Sequence, residues 1–144
     1  AGAELRFHKL KMRPGKPLMF AARDRARVLG LPGNPVSTMV CSLLFMKPAL
    51  ERMLGQPGGL VTTVPARVAV DVKQNDQRED YVRARLDRSP DGTLTAHPHP
   101  VQDSSMLSVL AACDGLMIRP PHDPARKAGD LVQVVDLASL PGGY

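Results

Sequence analysis

The chain has no tryptophan, two tyrosines, three phenylalanines and two cysteines among its 144 residues. With aromatics at 3%, a core has to be assembled from Val, Leu, Ala and Met. Cys41 and Cys113 lie far apart in apolar surroundings, which reads as two buried thiols and excludes a disulfide framework or a metal pair. No apolar run approaches the length of a membrane span, and no signal-peptide pattern opens the chain. The expected compartment is therefore the cytosol, with no membrane partner. Acidic residues are scattered, and His97 and His99 in "HPHP" read as a strand end that no Cys or carboxylate cluster joins, so no metal site is expected in these residues. What the chain does have is 43% hydrophobic and 23% charged residues, the balance of a folded protein. Its length suits one ordinary domain or two small ones.

The net charge of +5 is placed unevenly. Arg6, Lys9, Lys11, Arg13, Lys16, Arg23, Arg25 and Arg27 face only Glu4 and Asp24 in the first 27 residues. Such a segment can serve nucleic acid, an acidic membrane surface or a small anion. Nucleic-acid modules interleave aromatics for stacking or show a recognisable motif, and neither is present. A small anionic ligand fits better; a solvated basic face is the plain alternative.

The two halves differ in texture. "FHKLKMRPGKPLMF" at 7–20 suggests two strands around a Pro-Gly turn, 24–31 another strand, and 35–54 a helix kinked near Lys47-Pro48. "GQPGG" at 55–59 is a linker signal. Beyond it, 65–73 and 80–88 alternate as half-buried strands, and Asp91-Gly92 turns into a returning strand, "TLTAHP". A short helix over 104–114, opened by Ser104 or Ser105, and strands at "GLMIRP" and "DLVQVVDL" complete a mostly antiparallel half. The first half has strands and a helix but too little to complete an α/β layer, as if it ended a larger domain.

"GLPGNPVSTMV" at 30–40 follows a strand and opens the helix. Asn34 suits an N-cap and Pro35 a first helical residue. A strand–turn–helix of this kind aims backbone N–H groups into one crevice, as an anion site requires, although many α/β proteins use it for structure alone.

"MRPGKPLMF", "GLPGNPVS", "QREDYVRARL", "QDSSMLSVLAACDGLMIRP" and "AGDLVQVVDL" occur in the order found in MoeA proteins, and the chain resembles the C-terminal part of that family of molybdopterin molybdenumtransferases, which includes the E domain of gephyrin. The resemblance implies an α/β fragment, residues 1–57, ending a molybdopterin-binding α/β domain. Residues 58–144 would then form a small, mostly antiparallel β domain of β-barrel or β-clip type. It implies a role in molybdenum cofactor biosynthesis: inserting molybdate into adenylylated molybdopterin, assisted by Mg²⁺, with release of AMP.

The family pattern Lys-Pro-Gly-Lys-Pro corresponds to Arg13-Pro14-Gly15-Lys16-Pro17, which implies that Arg13, Lys16 and Pro17 bind molybdate. Arg for Lys at 13 keeps the charge and turns a point donor into a planar fork. Arg78 in "QREDYVR" corresponds to the family's arginine before its Glu-aromatic pair, with Arg83 as its substitute. Ser104 follows from the Gln-x-Ser pattern at 102–104, where helix capping is its plain alternative and Asp103 is a departure. Pro32, Gly33, Asn34, Pro35 and Ser37 would border the pterin cleft. The Mg²⁺ ligands and most of the homodimer contacts would lie upstream, so no catalytic residue is assigned here and the 144 residues alone are expected to be inactive. A non-enzymatic scaffold or a basic nucleic-acid module is the alternative class, and tungstate has nearly the size and charge of molybdate.

Overall fold

The computed structural model describes residues 2–57, 59, 61–103 and 106–140. Two compact units form, Ala1–Val61 and Thr62–Tyr144.

In the first unit, β1 (Glu4–His8), β3 (Met19–Arg23) and β4 (Ala26–Gly30) make an antiparallel sheet in the order β1-β3-β4, and β2 (Met12–Arg13) lies in the β1–β3 connection. Phe7 and Phe20, opposite each other in the β1–β3 register, stack at 5.7 Å between ring centroids. A helical run follows: α1 (Pro35–Cys41), a π turn (Ser42–Met46) and α2 (Lys47–Met53). The kink expected near Pro48 takes the form of this π turn. Proline has no N–H and its ring crowds the carbonyl four residues back. The wider turn absorbs both, and the Lys47 N–H bonds to the Ser42 carbonyl, five residues back.

The second unit is a closed five-stranded sheet. Strands β5 (Val64–Val68), β6 (Glu79–Arg88), β7 (Leu94–Pro98), β8 (Gly115–Arg119) and β9 (Leu131–Asp136) run in the order β6-β7-β5-β9-β8, and β6 pairs back onto β8. All pairings are antiparallel except β5–β7. Alternation points Ala66, Val68, Ala84, Leu94, Ala96, Met117, Val132 and Val134 into one core. These are aliphatic side chains and one methionine, as a composition poor in aromatics dictates. Gly115 permits the closure: a Cβ there would sit 2.6 Å from Leu86 Cγ on β6. The hairpin at Asp91-Gly92 forms as expected, with Gly92 at φ +85° and its N–H bonded to the Ser89 carbonyl.

Two elements are shorter than the pattern suggests. Regular pairing of the 65–73 strand stops at Val68, and Val72 makes only an isolated bridge to Arg126. The helix expected over 104–114 is α3 (Leu107–Ala111), and Met106 at its start makes no side-chain capping bond. The capping expected of Ser104 or Ser105 lies outside the described residues, as does Gly58 of the linker signal. Cys113 is partly rather than fully buried. Among the described residues no helix is long and apolar enough to cross a membrane.

Candidate anion-binding site

The turn at 13–17 is built by alternating anchors and charges. Met12, Pro14, Gly15 and Leu18 are buried, whereas Arg13, Lys16 and Pro17 are exposed. Gly15 sits at φ +114°, and a Cβ there would lie 2.6 Å from Cys41 Sγ at the end of α1. Only glycine lets this turn approach the helix so closely. The Arg13-Pro14 peptide bond is cis. Backbone bonds close the turn, with Leu18 N–H to the Gly15 carbonyl at 3.1 Å and Leu10 N–H to the Lys16 carbonyl at 2.8 Å. The result is a fixed platform presenting two cations, and among the described residues no carboxylate pairs with the Lys16 ammonium.

Residues 32–37 form the second feature of this unit. Asn34 caps α1 by accepting the Ser37 N–H at 3.3 Å, and Pro35 begins the helix, as its chemistry suggests. The Thr38 hydroxyl donates to the carbonyls of Pro32 and Asn34, which ties the turn to the helix. Pro32 and Ser37 are buried, while Gly33 faces open space, with nothing within 4 Å of a Cβ there. The turn at 13–17 meets the far end of α1, so these two features are separated by the seven-residue helix, about 10 Å at 1.5 Å per residue.

In the second unit Arg78 and Arg83 have different fates. Arg83 is 1% exposed, and burial pulls its pKa below the ordinary arginine value. Its guanidinium donates to the Asp103 carbonyl at 3.3 Å, and its Nε has no partner among the described residues. Gln102 reinforces the same connection. Its Oε1 accepts the Arg83 N–H, and its Nε2 donates to the carbonyls of Arg83 and His99. Arg83 thus fastens the 99–103 segment to β6 and is not presented at the surface.

Arg78 sits just before β6 with a third of its side chain exposed. Its Nη2 donates to Asp76 Oδ2 at 2.9 Å and its backbone N–H to Asp76 Oδ1 at 2.8 Å. The Asp76 hydrogen bond raises its pKa. The loop beneath it is pinned on every side. Asn75 Nδ2 donates to the carbonyls of Arg78, Arg119 and Pro120. The Asn75 N–H bonds to the Asp123 carbonyl, and the His122 N–H to the Asp76 carbonyl. Arg119 and Asp123, each about 5% exposed, form a buried ion pair, and Arg119 also donates to the Lys73 carbonyl at 3.0 Å. Asp123 accepts from Arg126 as well. Burial pushes the Asp123 carboxyl up, but the bonds from Arg126 and Arg119 outweigh it and hold it below the usual range.

Each described residue expected from sequence belongs to a local feature of its own unit. Arg13, Lys16 and Pro17 share one turn; Pro32 to Ser37 share another; Arg78 stands on a braced loop; Ser104 lies outside the described residues. The bracing residues Asn75, Asp76, Arg119 and Asp123 escaped sequence reading. The only sequence cue was two polar, turn-rich stretches flanking β6 and following β8. Among the described residues no three His, Cys, Asp or Glu side chains converge to hold a metal. These residues do not fit a Mg²⁺ site.

Comparison with known proteins agrees across the chain. Residues 65–137 match the family model of the MoeA C-terminal region (domain IV), and residues 1–52 that of the probable molybdopterin binding domain. The chain is 33% identical over 138 residues to the molybdopterin molybdenumtransferase of Synechococcus elongatus, covering 94% of this chain and 32% of that one. It is 33% identical over 135 residues to the molybdenum cofactor synthesis protein cinnamon of Drosophila melanogaster, covering 89% and 22% respectively. The crystal structure of the molybdopterin biosynthesis MoeA protein of Pyrococcus horikoshii superposes with a TM-score of 0.74 at 25% identity, covering 94% of this chain and 32% of that one. The chain spans about a third of the length of the curated relatives it matches.

Proposed function

Starting from the fact that this chain belongs to the MoeA family, whose C-terminal region it carries, we propose that it serves molybdenum cofactor biosynthesis as part of a molybdopterin molybdenumtransferase. The reaction is insertion of molybdate into adenylylated molybdopterin with release of AMP. The chain contributes binding groups to it rather than the chemical machinery. The reading is carried by the 13–17 turn, whose buried anchors hold Arg13 and Lys16 outward on a backbone that cannot drift. Molybdate is a tetrahedral dianion. It is recognised by cations and N–H donors set in fixed geometry, which is what this turn offers.

Pro17 shapes the edge of the turn, Arg78 is the cation of the second unit, and Ser104 a hydroxyl donor. The open face at Gly33, with Pro32, Asn34, Pro35 and Ser37, borders the pterin. Working partners are the remaining length of the family protein, from which Mg²⁺ ligands and dimer contacts are drawn, and the compartment is the cytoplasm. The chain alone turns over no substrate on this reading.

Calorimetric titration with sodium molybdate tests it. Lys16→Ala and Arg78→Ala should each weaken binding by roughly 1.5–3 kcal/mol, the value of a hydrogen bond to a charged group. Ser104→Ala should cost less, about 0.5–1.5 kcal/mol for a neutral donor. Unchanged affinity in the Lys16 and Arg78 variants would overturn the assignment. Oligonucleotide binding that falls steeply with salt, with all cations interchangeable, would instead identify a nucleic-acid module.

A further inference from the structure

Arg78 is the proposed oxyanion cation of the second unit; it stands on a braced loop, and the bracing ends in a carboxylate. A negative group beside an anion site is unexpected, since it lowers the local potential. Its geometry gives the reason for its presence. Asp76 Oδ1 accepts the backbone N–H of Arg78 at 2.8 Å, and Oδ2 accepts from Nη2 of the same residue at 2.9 Å. The two bonds close a ring around the Arg78 side chain. The carboxylate cannot swing aside for an incoming anion without leaving a backbone donor unpaired, which carries its own cost. The backbone of Asp76 is fixed in turn, because its carbonyl accepts the His122 N–H at 2.7 Å. Asn75 meanwhile holds the Arg78 carbonyl at 2.8 Å.

What this ring leaves open matters as much as what it closes. Asp76 takes a single N–H of the guanidinium. The Nε and Nη1 donors of Arg78 have no partner among the described residues, and the side chain is a third exposed. A planar fork held by one corner presents its remaining donors in one direction. A free arginine would have to give up several rotatable bonds to achieve that on binding.

We propose that Asp76 is the positioning residue of Arg78: it acts on the oxyanion through the arginine, by fixing the direction of the donors left open. The inference rests on Arg78 being an oxyanion contact, as proposed above. It predicts that removing a negative charge from the site weakens the binding of an anion, the reverse of what a simple charge count gives. Preorganisation of this kind raises affinity by removing an ordering cost.

The test is calorimetric titration of the protein with sodium molybdate, with the thermal midpoint of each variant recorded alongside. Asp76→Ala is expected to weaken binding roughly tenfold, with a modest fall of the midpoint because the Arg78 N–H loses its acceptor. Asp76→Asn keeps an acceptor for the Arg78 N–H and should recover part of the loss; if the alanine variant does not fold, a weakened asparagine variant carries the test. In an Arg78→Ala background the Asp76 substitution should have no further effect, an outcome that a merely structural role would not produce. Unchanged or tighter binding in the Asp76 variants, or an equal loss with and without Arg78, overturns the positioning role and leaves Arg78 as a contact. Equal affinity of wild type and Arg78→Ala overturns the underlying reading instead. An independent readout is ¹⁵N NMR of the arginine side chain without anion: slowed rotation of the Arg78 guanidinium in the wild type, lost in Asp76→Ala, supports the ring. Free rotation in the wild type refutes it.

Discussion

The buried pair Arg119–Asp123 offers the sharpest energetic test of the second unit. Asp123→Ala would leave the Arg119 guanidinium, 5% exposed, without its counter-charge. Breaking one partner of a buried pair typically costs about 3–5 kcal/mol. Arg119 retains the carbonyls of Lys73 and Pro124 at 3.0 Å, so the lower end, about 3 kcal/mol, is expected. The Arg126 contact adds little, because that side chain is a third exposed and screened by solvent. In a domain of this size each 1 kcal/mol moves the midpoint by roughly 4–8 °C, so the variant should melt roughly 12–24 °C lower. Urea unfolding followed by circular dichroism, with hydrogen exchange at the Asn75 and Val72 amides, measures both the cost and its location. Replacing both partners by apolar residues, Arg119→Met with Asp123→Leu, should recover most of the stability. A loss below about 1 kcal/mol in Asp123→Ala, or a double variant as damaged as the single one, would refute this account.

The same carboxylate sets a pH dependence. Because its pKa is lower in the fold than in the unfolded chain, the unfolded state takes up a proton first as pH falls. The stabilisation is present above the ordinary carboxylate pKa of about 3.9 and is lost on descending through the folded value. An acid titration of stability should therefore be steep below about pH 4 in the wild type and flatter in Asp123→Asn.

Three further outcomes are expected. Gly15→Ala should destabilise the first unit by roughly 1–2 kcal/mol from its positive φ alone, and the clash with Cys41 adds to that; Cys41→Ala should relieve the clash but not the backbone strain, which a thermal double-mutant cycle resolves. Burial pushes the Cys41 thiol up to about 11, so it should resist thiol reagents at neutral pH until the protein unfolds, whereas rapid labelling in the native state would contradict the packing. Limited proteolysis should cut first between residues 55 and 61, and early cleavage within 64–88 would argue against placing the domain boundary there.

Where local chemistry decided the structure, the sequence was readable. Asn34 and Pro35 define a helix start by the groups they supply and lack, and Asp91-Gly92 defines a hairpin. The alternation over 80–88 marked β6 as a half-buried strand, and Ala84 on it points into the core. The motif Arg13-Pro14-Gly15-Lys16-Pro17 was likewise legible as a charged turn, because its spacing sets anchors inward and cations outward. What local chemistry could not show was the consequence of contact. Pro48 announced an interruption, but the form it took, a π turn over Ser42–Met46, depends on where the carbonyls of the preceding turn find donors.

Arg78 and Arg83 make the same point for function. Five residues apart, they have the same charge and the same side chain, although Arg78 stands between Gln77 and Glu79 and Arg83 between Val82 and Ala84. Their roles are divided by the partners that the closed sheet brings to each. Arg83 faces Leu116 across the ladder and lies under the segment that Gln102 docks, so its charge is used to hold backbone carbonyls. Arg78 precedes the ladder, where the 119–124 connection supports the backbone and leaves the guanidinium outside. An odd spacing puts the two on opposite sides of an extended chain, but only the register tells which side is covered. The substitution pair that separates them follows from this: Arg83→Met should lower the thermal midpoint, and Arg78→Met should not. For molybdate affinity at a temperature where both variants are folded, the order should reverse, with Arg78→Met showing the larger loss. Equal effects of the two substitutions on both measurements would mean that burial has not divided the roles, and the assignment of the exposed arginine to the anion would fall.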